Sequence, residues 1–85
     1  MHARILLLPG DGVGPEVVAA ARGVLDAVAA AFGHEFSISE APIGGAALKR
    51  GFRALPEQTL QAARNADAIL LGAVGDPAFD TGIGE

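Results

Sequence analysis

The sequence predicts an α/β fold in which helices cover a parallel sheet. Three observations favour this class: short continuous apolar runs end at Gly or Pro, a long amphipathic segment separates the first two strand-like segments, and a second helical segment precedes the last. Continuous apolar runs are typical of parallel strands that are buried on both faces. The order strand, helix, strand, loop, helix, strand therefore predicts parallel strands joined by right-handed crossovers.

The first and last predicted strands are the apolar runs at residues 4–8 and 68–71. A Pro-Gly pair ends the first run, and Gly72 is predicted to end the last. Residues 36–39 alternate apolar and polar side chains, which predicts a second strand with one covered face. All three strands are therefore expected to contribute side chains to the core.

The longest predicted helix covers residues 15–32. Pro15 is favoured at the first helical position because its missing N–H would be unpaired there, and Glu16 suits the positive end of the helix dipole. Gly33 supplies the C-terminal stop. Apolar side chains recur at helical spacing and predict one face that packs into the core: Val17, Ala21, Val24, Val28 and Phe32.

A second long helix is predicted to begin at Pro56, again with an acidic residue next to the proline, and to stop near Asn65. Before it, the turn-rich segment 42–45 leads into residues 46–49, which are predicted to form a single helical turn. Residues 75–85 are loop-like in composition.

Composition excludes several kinds of protein. The 85 residues allow one domain at most, and we expect residues 1–85 to form a single partial α/β domain. The chain contains no Cys, which excludes disulfides and Cys-based zinc sites. Its net charge of −4 argues against a nucleic-acid surface. No apolar stretch is long enough for a transmembrane helix or a signal peptide, so we expect a cytoplasmic protein that contacts neither nucleic acid nor membrane.

A glycine-rich turn at residues 10–15 joins the first strand to the first helix. Its spacing is G-x-G-x-G, whereas the dinucleotide fingerprint requires its third small residue where this chain has Pro15. Proline offers no N–H to a pyrophosphate. Glu40 stands where a ribose-binding acid would follow the second strand, but the spacing favours a tight turn over a standard Rossmann site. Within the turn, Asp11 is expected to bond local backbone N–H groups.

Three segments of the sequence carry a family resemblance. They are LPGDGVGPEV at residues 8–17, PIGGAA at residues 42–47 with Leu-Pro at 55–56, and ADAILLGAVGDP at residues 66–77. Together they resemble the β-decarboxylating dehydrogenases, the isocitrate and isopropylmalate dehydrogenase family, and the isopropylmalate branch more than the isocitrate branch. The resemblance covers nearly the whole chain but only the N-terminal part of such an enzyme, so we expect the chain to be an inactive fragment that self-associates.

The resemblance implies NAD-dependent oxidation of the 2-hydroxyl of isopropylmalate in leucine biosynthesis, then loss of the β-carboxylate with Mg²⁺ or Mn²⁺ as the electrophile. It places Val13 and the loop of Val74, Gly75, Asp76 and Pro77 near the nicotinamide half of NAD. It also implies a homodimer. The family's substrate-binding arginines and its catalytic and metal-binding residues belong beyond residue 85, so no catalytic or metal-binding residue is assigned here.

Two alternatives stay open at this point. One is another family member that acts on isocitrate, homoisocitrate or tartrate. The other is a non-enzymatic α/β module that binds a nucleotide or a partner chain. Asp76 stands where the family has glycine, and its charge would lie near a bound dinucleotide. Other polar residues suggest less, because His2 and His34 are expected to be solvated and the basic cluster at residues 49–53 is typical of a solvated loop.

Overall fold

A computed structural model describes residues 1–75 of the chain. The described part contains β1 (His2–Gly10), α1 (Gly14–Phe32), β2 (Glu35–Glu40), α2 (Gly44–Lys49), α3 (Glu57–Asn65) and β3 (Ala68–Ala73). The predicted α/β class and element order are confirmed. None of the helices in residues 1–75 is long and apolar enough to cross a membrane.

The three strands form one parallel sheet in the order β2-β1-β3. Ile5 pairs with Ile38 on one side, and Leu7 pairs with Leu70 on the other. The chain therefore crosses from β1 to β2 through α1, then returns past β1 to β3 through α2 and α3. As a consequence, the carboxyl ends of β1 and β3 lie side by side at one edge of the sheet.

β1 is the central strand and supplies most of the core. Its four central side chains, Ile5 to Leu8, are all buried, which confirms the prediction from the continuous apolar run. Ile5 and Leu7 pack against Val18 of α1, and the partly buried Leu70 joins the same cluster. Leu6 and Leu8 point to the opposite face, where α2 and α3 contact the strand.

The predicted packing face of α1 is wrong. Val17, Val24 and Phe32 are 54%, 63% and 73% exposed. The buried residues of the helix are Gly14 and Val18, and Leu25 packs against the core from the same face. Apolar residues occur nearly all round α1, so periodicity alone does not select a face. The close approach at Gly14 does select it, because the helix starts directly against the backbone of β1.

That close approach also explains why Gly72 does not end β3. A Cβ on Gly14 would lie 1.8 Å from the carbonyl oxygen of Pro9, and a Cβ on Gly72 would lie 2.5 Å from the same oxygen. Both glycines are therefore part of one contact between the first turn of α1 and the strand pair. Gly72 stands inside β3, which continues to Ala73, because only glycine leaves room for the helix there.

Boundaries of several other elements also differ from the prediction. β1 extends beyond residues 4–8 at both ends because β2 pairs with it from residue 2 and β3 pairs with it as far as residue 10. α2 begins at Gly44 instead of residue 46. Pro56 precedes α3 as its N-cap instead of its first residue, with an extended backbone at ψ 150°. The C-terminal stop at Gly33 is confirmed by its left-handed φ of 68°.

One face of β3 is open to solvent in the described part of the chain. Ile69 and Leu71 are 50% and 53% exposed, although they pair with the buried Leu6 and Leu8 of β1. Leu70, on the other face, packs against the core below α1. The apolar run of β3 is typical of a strand covered on both faces, but within residues 1–75 only the face of Leu70 is covered. The expected self-association of the chain depends on this apolar surface.

Candidate dinucleotide site at the carboxyl ends of β1 and β3

The candidate site lies where β1 and β3 end. Open parallel sheets bind ligands outside the carboxyl ends of their strands, where the loops converge. In this chain the converging segments are the turn between β1 and α1, the start of α2, and Val74 and Gly75 after β3. The sequence-predicted site residues within the described part of the chain, Val13, Val74 and Gly75, all belong to these segments.

The turn itself is shaped by glycine. Gly10 and Gly12 have φ values of 74° and 55°, a left-handed conformation that other residues rarely adopt. A Cβ on Gly10 would lie 1.9 Å from the carbonyl oxygen of Ala73, so the strand ends are in backbone contact. The N–H of Asp11 donates to that same oxygen at 2.7 Å, and the N–H of Gly14 donates to the carbonyl oxygen of Asp11 at 2.8 Å.

These bonds support the prediction that the turn is not a standard pyrophosphate cradle. Two of its backbone N–H groups are used inside the protein, and Pro15 lies at the start of α1, where a phosphate would need a donor. Glu40 ends β2 on the far side of β1. It lines an open cavity of about 210 Å³ together with Pro9, Gly10, Ala41, Pro42, Ala46 and Arg50.

The predicted cofactor residues are exposed at the sheet edge. Val13, the N-cap of α1, is 64% exposed, and Val74, directly after β3, is 48% exposed. Gly75 follows with a φ of 142°. Val74 also packs beside the start of α2, since its Cγ1 is 2.9 Å from the place a Cβ on Gly44 would occupy. Asp76 and Pro77 lie outside the described residues.

Asp11 joins these segments. It bonds backbone N–H groups, as expected, but the described donors do not belong to its own turn. Its carboxylate is buried and accepts three N–H bonds from residues distant in the sequence. The donors are Ala46 to Oδ1 at 2.6 Å, Gly45 to Oδ2 at 2.8 Å and Gly75 to Oδ2 at 3.0 Å. The carboxylate therefore ties the β1–α1 turn to α2 and to the loop after β3.

A signal for this contact is present in the sequence. The residue before α2 is Ile43, whose side chain has no oxygen to accept the free N–H groups of a helix start. The two residues that follow are glycines, which leave room for a side chain from elsewhere. A helix start that lacks a capping side chain of its own, together with an acidic residue that directly follows an apolar strand earlier in the chain, indicates a cap from a distant segment. Local turn statistics alone do not reveal it.

Residues 1–75 offer no metal centre, since no group of three or more His, Cys, Asp or Glu in this range could hold an ion. His2 is exposed and pairs with Ser37, as expected of a solvated histidine. His34 is only half-buried, but its ring stacks with Phe32 and Phe36 at centroid distances of 6.3 Å and 5.8 Å. His34 is therefore only partly solvated, because the two phenylalanine rings flank its imidazole.

Other charged residues singled out in the sequence lie on the surface. Glu16 lies exposed in the first turn of α1. The basic cluster is exposed at the end of α2 and in the loop that follows, where the guanidinium carbon of Arg50 lies 5.5 Å from the ring centroid of Phe52. Of the basic cluster, Arg50 also lines the open cavity that Gly10 and Ala46 border.

Comparison with known proteins identifies the family. The family model described as isocitrate/isopropylmalate dehydrogenase matches residues 4–84 of this chain. The 3-isopropylmalate dehydrogenases of Nitratidesulfovibrio vulgaris and Bacillus subtilis are 58% and 56% identical to it over 80 residues, which is 94% of this chain. The chain spans 22% of the length of each of these relatives.

A solved structure agrees with this result. The crystal structure of TT0538 protein from Thermus thermophilus superposes on 96% of this chain with a TM-score of 0.75 and 31% sequence identity, and the match covers 15% of that protein. The likeness confirms that the three-stranded parallel sheet and its helices occur within a larger solved fold. Since the family model matches nearly all of its residues, the chain belongs to the isocitrate/isopropylmalate dehydrogenase family.

Proposed function

We propose that the intact protein, including any residues outside 1–85, is an NAD-dependent 3-isopropylmalate dehydrogenase. It oxidises the 2-hydroxyl of 3-isopropylmalate and releases the β-carboxylate as CO₂ in leucine biosynthesis. One observation carries the proposal: eight relatives named 3-isopropylmalate dehydrogenase are 50–58% identical to this chain. Identity at this level favours the isopropylmalate reaction over the isocitrate, homoisocitrate and tartrate alternatives.

The described residues suit one part of that reaction, which is holding the nicotinamide half of NAD. Val13 and Val74 present exposed apolar side chains at the sheet edge, and a planar ring can pack on such surfaces. Neither Gly12 nor Gly75 would bring a Cβ within 4 Å of another atom, so the backbone is open to a ligand at both positions. When bound, NAD accepts the hydride, and this chain contributes shape and orientation. Asp76 and Pro77 are proposed to extend the same contact.

The described residues do not suit the divalent metal, because residues 1–75 contain no candidate ligand cluster. We therefore derive no step through Mg²⁺ or Mn²⁺ from this part of the protein. We propose that residues 1–85 are part of a larger α/β domain, and that the metal ligands and the groups that bind the substrate carboxylates lie elsewhere in the polypeptide. A homodimer and a cytoplasmic location complete the proposal.

The test is an assay of the intact protein with NAD, Mn²⁺ and each of four hydroxyacids. NADH formation with 3-isopropylmalate, at a kcat/KM well above that with isocitrate, homoisocitrate or tartrate, is the expected result. Preference for another of the four acids would assign a different member of the family. Absence of NAD reduction with all four, combined with measurable nucleotide binding in calorimetry, would favour a non-enzymatic binding module.

A further inference from the structure

Asp11 forms hydrogen bonds that connect the two sides of the candidate site. One side is the β1–α1 turn, which carries Val13, and the other is the loop after β3, which carries Val74. The side chain of Asp11 bonds the N–H of Gly75 at 3.0 Å. Its own N–H bonds the carbonyl oxygen of Ala73 at 2.7 Å. One residue of the turn therefore holds the other side by two bonds, before and after Val74.

The carboxylate is itself held by further hydrogen bonds. It is buried, with the residue only 5% exposed, and a buried carboxylate is stable only with strong hydrogen-bond donors. The N–H groups of Gly45 and Ala46 supply two of them, one to each oxygen. The two bonds fix the plane of the carboxylate. Gly75 then meets an oxygen whose position is already set.

The sequence around α2 is adapted to receive this side chain. Gly44 has a φ of 68°, and a Cβ there would lie 2.8 Å from Oδ2 of Asp11. Any other residue at position 44 would therefore be strained and would also crowd the carboxylate. Ile43 supplies no cap of its own. Both features would be hard to explain if Asp11 only made the local turn expected from its position.

We infer that Asp11 is a positioning residue for dinucleotide binding. It does not touch the cofactor. It sets the position of the Val74–Gly75 loop relative to Val13, so that both sides of the site meet the same ligand. The inference rests on the proposed function, because it takes the space between these segments to be the place of the nicotinamide half of NAD.

The kinetic test compares Asp11→Asn with Asp67→Asn in the intact protein. Asparagine keeps the volume of Asp11, but its NH₂ group faces backbone donors. Asp67→Asn is the matched control, because Asp67 accepts a backbone N–H from Arg4 at the opposite end of the same strand pair. We expect Asp11→Asn to raise the KM for NAD about tenfold or more with a smaller change in kcat, as for the loss of one charge-assisted bond. Asp67→Asn should leave both constants unchanged.

A purely structural role would produce a different pattern. Partial unfolding lowers the amount of active enzyme, so kcat would fall while the KM for NAD stayed constant. That result for Asp11→Asn, or an effect on KM equal to that of the control, would overturn the inference. Comparing the change in the KM for NAD with the change in kcat therefore distinguishes a positioning role of Asp11 from a purely stabilising one.

Amide hydrogen exchange tests the positioning without NAD and without a variant. Gly75 follows β3 and is exposed, yet its N–H is bonded to Asp11. We expect this amide in the unmutated intact protein to exchange at least about tenfold more slowly than in a free peptide. Exchange at the free-peptide rate would overturn the inference even if Asp11→Asn failed to fold. If NAD reduction is absent but Gly75 is protected, the proposed function fails and the inference about the cofactor fails with it, while the contact itself stands.

Discussion

An aspartate forms hydrogen bonds at each end of the β1–β3 strand pair, but the two aspartates differ in burial and in the segments that they bond. At the amino end, Asp67 is exposed and its carboxylate accepts one backbone N–H, that of Arg4, at 2.8 Å. At the carboxyl end, Asp11 is buried and accepts three, from two other segments of the chain. The amino end is thus joined mainly by backbone pairing. At the carboxyl end, close contacts at glycines and the buried carboxylate of Asp11 hold the loops in place. This arrangement is expected where the loops of a sheet form a binding site.

The largest expected loss of stability comes from placing a side chain at Gly14, which contacts β1 at the carboxyl end of the strand pair. In Gly14→Val the new side chain would collide with the carbonyl of Pro9, where a Cβ alone would approach to 1.8 Å. The start of α1 would have to move away from β1, so we expect a loss of about 4 kcal/mol in the free energy of unfolding. Urea denaturation of the intact protein measures it.

Gly23→Ala is the matched control for that variant. Gly23 lies in the same helix, and a Cβ there would meet nothing within 4 Å. Alanine favours helix over glycine, so we expect this variant to stabilise the protein by about 0.5–1 kcal/mol. If Gly14→Val shifted the urea midpoint no further than a typical surface change, the close packing of α1 on the strand pair would be refuted.

The second-largest expected loss of stability comes from removing the buried carboxylate of Asp11. Asp11→Ala leaves the N–H groups of Gly45, Ala46 and Gly75 without their acceptor in a partly buried place. Solvent and local movement will replace some of these bonds, so we expect about 3 kcal/mol of destabilisation. The check is again the urea midpoint, with m-values compared to verify that the folded state is retained. A loss below about 1 kcal/mol would mean that the carboxylate is not needed to close this end.

Much of this fold follows from the sequence, and the exceptions share a cause. The class, the element order and the burial of Ile5 to Leu8 come from local pattern, because continuous apolar runs and Pro or Gly punctuation report on neighbouring residues. The packing face of α1 does not, because the helix is apolar nearly all round and Gly14 selects the face through a tertiary contact. The distant partners of Asp11 do not follow from local pattern either, because they are 34, 35 and 64 residues away.

A smaller loss of stability is expected from changing Thr59, which bonds the loop that leads into α2. Thr59 of α3 is fully buried, and its hydroxyl donates to the carbonyl oxygen of Pro42 at 2.7 Å. In Thr59→Val the shape is kept and the donor is lost, so the partly buried oxygen of Pro42 is left without this partner. We expect a loss of about 1–2 kcal/mol in unfolding free energy. Thr59→Ser, which keeps the hydroxyl, should recover part of it, and an equal loss in both variants would assign the effect to packing instead.

The smallest effect should come from the exposed aspartate at the amino end. Asp67→Asn keeps an oxygen that can accept the N–H of Arg4, and the backbone N–H of residue 67 still donates to the carbonyl of Arg4 at 2.8 Å. Water can replace whatever is weakened, so we expect less than about 1 kcal/mol in urea denaturation. A larger loss than in Asp11→Ala would reverse the comparison: the amino end would then be the closely integrated one. The glycines and the buried carboxylate at the carboxyl end would in that case need an explanation other than holding the loops of a binding site in place.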